Sequence, residues 1–289
     1  ASLRILPSAS AILNGILMIG YSKESLDIIH DDLQKLKNNN LNKEENVSQV
    51  IKFQNIEFKN VSFGYPGSKR SILENINLKI NKDECIGLIG ETGSGKTTFV
   101  DMFLGFLSPS NGKIFINDKE IKLKSSIWSN QISYLPQDYL IINDTIEKNI
   151  TLSFEENINQ DKLKNSIDKS DLEKLIRELP DGIKTKIGEG GIRLSGGQYK
   201  KICLARLFYH EKQILILDEA TNSLDKISEE TVISNINFFK GKRTIVLISH
   251  NHDTLKNCDR IFKVDNKNVF DYTNKFQKIW DKSKNPENE

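Results

Sequence analysis

Residues 85–104 read Cys85-Ile86-Gly87-Leu88-Ile89-Gly90-Glu91-Thr92-Gly93-Ser94-Gly95-Lys96-Thr97-Thr98-Phe99-Val100-Asp101-Met102-Phe103-Leu104. An apolar run, a glycine-rich loop and a second apolar run with helical spacing follow one another, which predicts strand, loop and helix. The segment Gly90 to Thr97 matches the phosphate-binding loop in full: its glycines let successive backbone N–H groups close around a polyphosphate at a helix N-terminus. Lys96 is placed to reach the β- and γ-phosphates as a point charge, and the Thr97 hydroxyl to ligate Mg²⁺. A Gly/Ser-rich turn before an ordinary helix would not need the whole pattern. The expectation is a nucleoside triphosphate site with ATP and Mg²⁺ as its ligands.

The chain around this segment is long enough for one large or two ordinary domains, at 289 residues with 37% hydrophobic side chains. Forty-one basic and 39 acidic residues leave a net charge of +2. That balance lacks the basic footprint of a dedicated nucleic-acid binder, so no nucleic-acid partner is expected. Cys85, Cys203 and Cys258 are odd in number and widely spaced, which fits neither a disulfide framework nor a zinc site and points to a reducing compartment.

Before the loop, the apolar part of residues 1–36, Ile5 to Tyr21, is too short and too polar for a membrane span and a poor match to a signal peptide, and the segment predicts an amphipathic helix or helix pair. Residues 37–50 are rich in Asn, Lys and Glu and read as a polar linker. The main domain is expected over 51–280. Alternating segments between Ile51 and Ile80, broken at Tyr65-Pro66-Gly67, predict half-exposed antiparallel strands, with further strands at Gly112–Ile116 and Ile132–Tyr134. From about 138 to 210 the pattern turns helical, including a periodic run from Asp161 to Leu179 and a helix after Gly197, so an inserted helical subdomain is expected. Uninterrupted apolar strands at Ile214–Leu217 and Thr244–Ile248 predict a parallel sheet covered on both faces. The fold class is therefore α/β: a phosphate-loop core with a parallel sheet, an antiparallel β-subdomain and a helical insertion. The tail, 281–289, reads as disordered.

The strand Ile214 to Leu217 ends in Asp218 and Glu219, which places one carboxylate beside a metal and a second at the strand's mouth. Asp218 is the candidate Mg²⁺ holder, through water, and Glu219 the candidate general base that orients the attacking water. Between the phosphate loop and these acids stands Leu194-Ser195-Gly196-Gly197-Gln198, where a hydroxyl and an amide at a helix start could form a second anion site.

With that pentapeptide the residues resemble the nucleotide-binding domain of ATP-binding cassette (ABC) proteins, over roughly residues 51–280. The resemblance implies a head-to-tail dimer of two copies, with each nucleotide held between the phosphate loop of one and the Ser195, Gly197 and Gln198 signature of the other. It also implies that Tyr65 stacks on adenine, that Gln137 meets the metal and joins the core to the helical subdomain, and that His250 contacts the γ-phosphate. Ser223-Leu224-Asp225 resembles the loop that crosses the dimer interface. The implied nucleotide set is then Tyr65, Gly90, Glu91, Thr92, Gly93, Ser94, Gly95, Lys96, Thr97, Thr98, Ser195, Gly197, Gln198 and Asp225. The metal set is Thr97, Gln137 and Asp218, and the catalytic set Glu219, His250, Lys96 and Gln137. Asp83, where glycine is expected, and Tyr199, where a basic or amide residue is commoner, depart from the pattern.

Gly188-Glu189-Gly190-Gly191 and the stretch from Asn143 to Ile150 resemble the exporter type, in which the first segment faces the membrane domain. Residues 3–36 are similar to the cytosolic end of a last membrane helix, and among exporters the match is nearest to flippases of lipid-linked oligosaccharides. The expectation is an ATPase that drives export from the cytoplasmic face of the membrane, coupled to a membrane domain encoded upstream. The competing readings are a soluble cassette ATPase acting on nucleic acid or ribosomes, an exporter of peptides or drugs, and a nucleotide-binding regulator without turnover. A second cassette or a basic patch would favour the first, and neither is present in the sequence. Glu219 and His250 speak against the last.

Overall fold

A computed structural model describes residues 2–38, 51–68, 70–120, 126–153, 158–222 and 224–284. Two compact units are distinguished, residues 1–48 and 49–289. The first is one long helix, α1 (Ser2–Asn38), which includes Pro7. Ile12, Leu13, Ile16, Leu17, Met18 and Ile19 are all exposed on it. Over the whole length of α1 the apolar side chains do not gather on one face, so it is a single helix without the amphipathic pattern expected. No helix among the described residues is long and apolar enough to cross a membrane. Most of the proposed 37–50 linker lies outside the described residues.

The second unit begins with β1 (Asn55–Phe63), β2 (Leu73–Asn81), β3 (Cys85–Ile89), α2 (Lys96–Leu104), β4 (Asn111–Ile116), β5 (Lys119–Glu120), α3 (Ser126–Ser129) and β6 (Ile132–Leu135). It continues with β7 (Asp144–Thr145), α4 (Ile146–Thr151), α5 (Gln160–Lys169), α6 (Glu173–Glu178), β8 (Lys186–Ile187) and α7 (Gly196–His210). The last third holds β9 (Ile214–Asp218), α8 (Lys226–Phe239), β10 (Thr244–Ile248), α9 (His252–Leu255), β11 (Arg260–Asp265), β12 (Asn268–Asp271) and α10 (Thr273–Lys284).

The central sheet has six strands in the order β12-β11-β3-β10-β9-β6. Every pairing from β11 to β6 is parallel, as expected of the core, and β12 adds an antiparallel edge, so the six-stranded sheet as a whole is mixed. The near-continuous burial of β3, β9 and β10 follows from their unbroken apolar sequence, which needs cover on both faces. A second sheet, β2-β1-β4-β5, is antiparallel. Its inner side chains share one core with α2, where Phe58 and Phe99 lie 5.2 Å apart between ring centres. Trp128 is wholly buried there and donates its indole N–H to the Phe103 carbonyl at 2.8 Å.

A third cluster, built on Ile146, Ile150, Leu163, Leu172, Ile187 and Ile202, is the core of the helical region. The periodic run expected over Asp161–Leu179 is split there. Ser170 turns its hydroxyl back to the Ser166 and Ile167 carbonyls, and Asp171 adopts a left-handed φ of 55°, which ends α5 before α6 begins. Asp83, the departure from glycine, has φ 61°, a conformation in which glycine is unstrained and aspartate is tolerated. Helix α10 runs through Lys284, four residues into the stretch read as a disordered tail; residues 285–289 lie outside the described ones.

Candidate functional site

Strand register brings the predicted residues together. Ile248 of β10 is level with Leu88 of β3 on one side and with Asp218 of β9 on the other, and Leu217 of β9 is level with Leu135 of β6. Four chains therefore leave the sheet at one edge, and the next residues out are Gly90, Gln137, Glu219 and His250. This is the carboxyl edge of a parallel sheet, the usual place for a ligand in an open α/β fold.

The phosphate loop is shaped by contacts only glycine allows. A Cβ on Gly90 would stand 2.6 Å from the Val264 carbonyl oxygen and 2.7 Å from the Ser94 hydroxyl. Gly95 caps α2 at φ 106°, a left-handed conformation strained for any other residue. Lys96 folds its ammonium across the loop, donating to the Gly90 and Glu91 carbonyls at 2.7 and 2.9 Å. Burial lowers its pKa, and the Asp218 and Glu219 carboxylates push it part of the way back. The Ser94 hydroxyl oxygen is buried without a hydrogen-bond partner among the described residues. An unpartnered hydroxyl inside a cradle of amides fits a polyphosphate. Thr97 is exposed at the start of α2, whereas Thr98 is buried in its core-facing turn.

Asp218 is 8% exposed at the end of β9. Burial first, and repulsion from Glu219 second, push its carboxyl up to about 6 against the pull of Lys96, Lys200 and His250. Glu219 takes a left-handed φ of 49° and donates its N–H to the Ile248 carbonyl at 2.9 Å. That turn carries its side chain to the Asn222 amide, which donates at 2.7 Å, and to His250 Nε2 at 3.6 Å. The oxygens of Thr97, Gln137 and Asp218 form a hard donor set that suits Mg²⁺ rather than a soft metal. Gln137 is exposed, just beyond Pro136.

The signature builds a separate surface. Ser195 caps α7, its hydroxyl accepting from Gln198 N–H at 3.3 Å while the Gln198 carboxamide accepts from Ser195 N–H at 2.8 Å. This reciprocal cap occupies two side-chain atoms assigned to nucleotide, and leaves the amides at the helix start facing outward. No hydrogen bond among the described residues joins Leu194–Gln198 to the phosphate loop of the same chain. Asp225 likewise caps α8, accepting from Ser228 N–H at 3.0 Å, and the Ser228 bonds draw its carboxyl pKa down. Ser223 lies outside the described residues. Tyr65 is 46% exposed and meets Phe63 in a T-shaped pair with ring centres 5.0 Å apart, so it is packed in part and open in part.

Contacts that the sequence did not disclose tie these parts together. Tyr139 donates its hydroxyl to the Gly196 carbonyl at 2.8 Å, linking the segment after Gln137 to the signature helix. Lys200 reaches the carbonyls of Glu219 and Asn222. Asn143 accepts from Gly190 N–H at 3.3 Å, and β7 pairs with β8, so the two exporter-like stretches form one surface feature. A lysine after a glutamine signature and a tyrosine after a glutamine carry no sequence pattern of their own, and only the fold shows their partners.

Comparison with known proteins shows the family. The ABC transporter family profile matches residues 73–222. The alpha-hemolysin translocation ATP-binding protein HlyB of Escherichia coli O157:H7 is 36% identical over 256 residues, which cover 86% of this chain and 34% of that protein. The ATP-dependent lipid A-core flippase of Cupriavidus pinatubonensis is 34% identical over 218 residues, 74% of this chain and 37% of that one. Among solved structures, a bacterial Atm1-family ABC exporter with ATP bound superposes with a TM-score of 0.73 at 26% identity, over 81% of this chain and 42% of that one. The chain thus spans little more than a third of the two curated relatives. A phosphate loop, paired strand-end carboxylates and a capped signature helix on this fold, with a family match over half the sequence, make the chain a member of the ABC transporter family.

Proposed function

We propose that this chain is the ATP-hydrolysing domain of an exporter, and that two copies close head to tail on two Mg-ATP molecules. The observation that supports this reading most is the strand register, which brings the ends of β3, β9 and β10, and with them the phosphate loop, Asp218, Glu219 and His250, to one sheet edge, whereas no hydrogen bond among the described residues joins the signature to the phosphate loop of the same chain. A γ-phosphate bound by Lys96 then needs donors from outside the chain, and the outward amides at Ser195–Gly197 of a second copy supply them.

In hydrolysis Glu219 accepts a proton from the attacking water. The water oxygen bonds to the γ-phosphorus, the bond to the β–γ bridging oxygen breaks, and ADP and phosphate leave. His250, whose Nε2 lies 3.6 Å from Glu219 Oε1, orients that water and the γ-phosphate. Thr97, Gln137 and Asp218 would hold Mg²⁺, which when bound would neutralise charge on the phosphate oxygens. Tyr65, nearly half exposed, stacks on adenine.

Transport is the finer part of the proposal. The two named relatives are about two to two and a half times as long as this chain, and the surface formed by Asn143 and Gly188–Gly191 is the face offered to a membrane domain, which would hold this chain at the cytoplasmic side. An amphipathic or lipid-linked substrate is the reading most compatible with the flippase among the relatives.

Lys96→Ala tests the core of the reading. Steady-state phosphate release and titration with a fluorescent ATP analogue should show loss of binding or turnover in the variant. Equal affinity and equal turnover in both proteins would remove the phosphate loop from the account.

A further inference from the structure

We propose that Lys200 is a positioning residue that holds Glu219 in its working conformation. The inference rests on the ATPase reading above. Lys200 is 4% exposed, and its ammonium donates to the Glu219 carbonyl at 2.6 Å and the Asn222 carbonyl at 3.0 Å. No carboxylate oxygen lies within ion-pair distance of it among the described residues. A buried cation is costly unless its hydrogen bonds are met, and an apolar side chain would fill the same space at lower cost. The retained charge therefore has a task that packing alone does not explain.

That task is visible in the backbone it grips. Glu219 sits at φ 49°, a left-handed conformation that a residue with a Cβ leaves readily when nothing opposes it. Its N–H is fixed from the strand side by the Ile248 carbonyl, and Asn222 N–H closes the turn onto the Glu219 carbonyl at 3.2 Å. Lys200 supplies the remaining hold, binding both carbonyls of that turn at once. Release of this grip frees Glu219 to rotate its carboxylate away from His250. Because Lys200 lies on α7 two residues beyond Gln198, the same helix presents the signature and braces the base.

The test compares Lys200→Met, which keeps the stem and removes the charge, with Lys200→Arg, which restores the donors. Both are made in the full chain and followed by phosphate release, thermal melting and fluorescent ATP-analogue binding. Lys200→Met should lower kcat at least tenfold with KM and analogue affinity within threefold of wild type, and Lys200→Arg should regain most of the lost kcat. Wild-type kcat in a folded Lys200→Met, or a loss that Arg does not restore at all, overturns the proposal. So does a loss carried by KM alone. If Lys200→Met fails to fold, Lys200→Gln, whose shorter amide can reach one carbonyl at most, is judged by the same numbers. A wild-type chain that releases no phosphate overturns the ATPase reading itself, whereas equal turnover in wild type and Lys200→Met overturns only the role of Lys200.

Discussion

Glu219 Oε1 lies 3.6 Å from His250 Nε2, across two neighbouring parallel strands whose last residues are in register. The contact joins a side chain from the turn after β9 to one from the turn after β10. Neither residue could keep the other without the sheet between them.

Replacing Glu219 with Gln keeps the size of the side chain and its bond to Asn222 but removes the proton acceptor. Turnover should fall by about 10²-fold or more, roughly 2.7 kcal/mol of barrier, while nucleotide binding persists. A closed ATP-bound dimer should then accumulate on size-exclusion chromatography. Wild-type phosphate release from Glu219→Gln would show that another group takes the proton.

Asp218 gives a prediction with a definite sign. Its pKa is raised from 3.8 to about 6, so between about pH 4 and 6 the folded state holds a proton that the unfolded state has lost. The stability tied to this group is greatest below that window and declines as pH rises through it. At pH 7 the ionised carboxylate costs on the order of 2 kcal/mol, which Asp218→Asn removes. In chelator, without nucleotide, Asp218→Asn should melt several degrees above wild type at pH 7, and the gap should narrow toward pH 4.5. The same variant should hydrolyse no ATP. A gap that is constant with pH would assign the effect to packing.

The shared-site arrangement predicts complementation. Ser195→Arg fills the outward face of the signature with a bulky cation, and Lys96→Ala empties the phosphate loop. Each homodimer should be inactive, yet mixing the two folded variants should restore one whole site per dimer and a measurable rate. No recovery in dimers that demonstrably contain both variants would sink the head-to-tail geometry.

Asn149 is wholly buried in α4, between the segment after Gln137 and the rest of the helical region. Its side chain accepts from Ile142 N–H at 2.9 Å and donates to the Ile142 and Thr145 carbonyls at 2.9 and 3.0 Å, with Arg206 completing the shell. Asn149→Leu leaves several buried backbone groups unpaired and should cost about 3 kcal/mol in denaturant melts. A loss below about 0.5 kcal/mol would mean that water substitutes for the amide.

The parts legible in the sequence are those with a local physical cause. Thr244–Ile248 was readable residue for residue because an unbroken apolar run has one comfortable home, and Gly90–Thr97 because its glycines answer a backbone demand. The paired acids could be located from the strand that ends in them. Local pattern failed where a distant partner decides. The break at Asp171 depends on a left-handed residue that periodicity does not register, and the antiparallel edge β12 depends on a hairpin at Asn266 and Lys267. The grip of Lys200 on the Glu219 turn joins residues 19 positions apart, which no spacing rule encodes. The cap that engages Ser195 and Gln198 has a recognisable signal, a serine followed by glutamine at the third helical position, but that signal says nothing of the second copy.

Strand β6 is an edge of the six-stranded sheet, four residues long and stopped by Pro136. Proline offers no N–H to a neighbouring strand, and a short edge gives an incoming chain little to pair with. The residue that carries Gln137 clear of the sheet thus also leaves this edge little with which to pair an incoming strand.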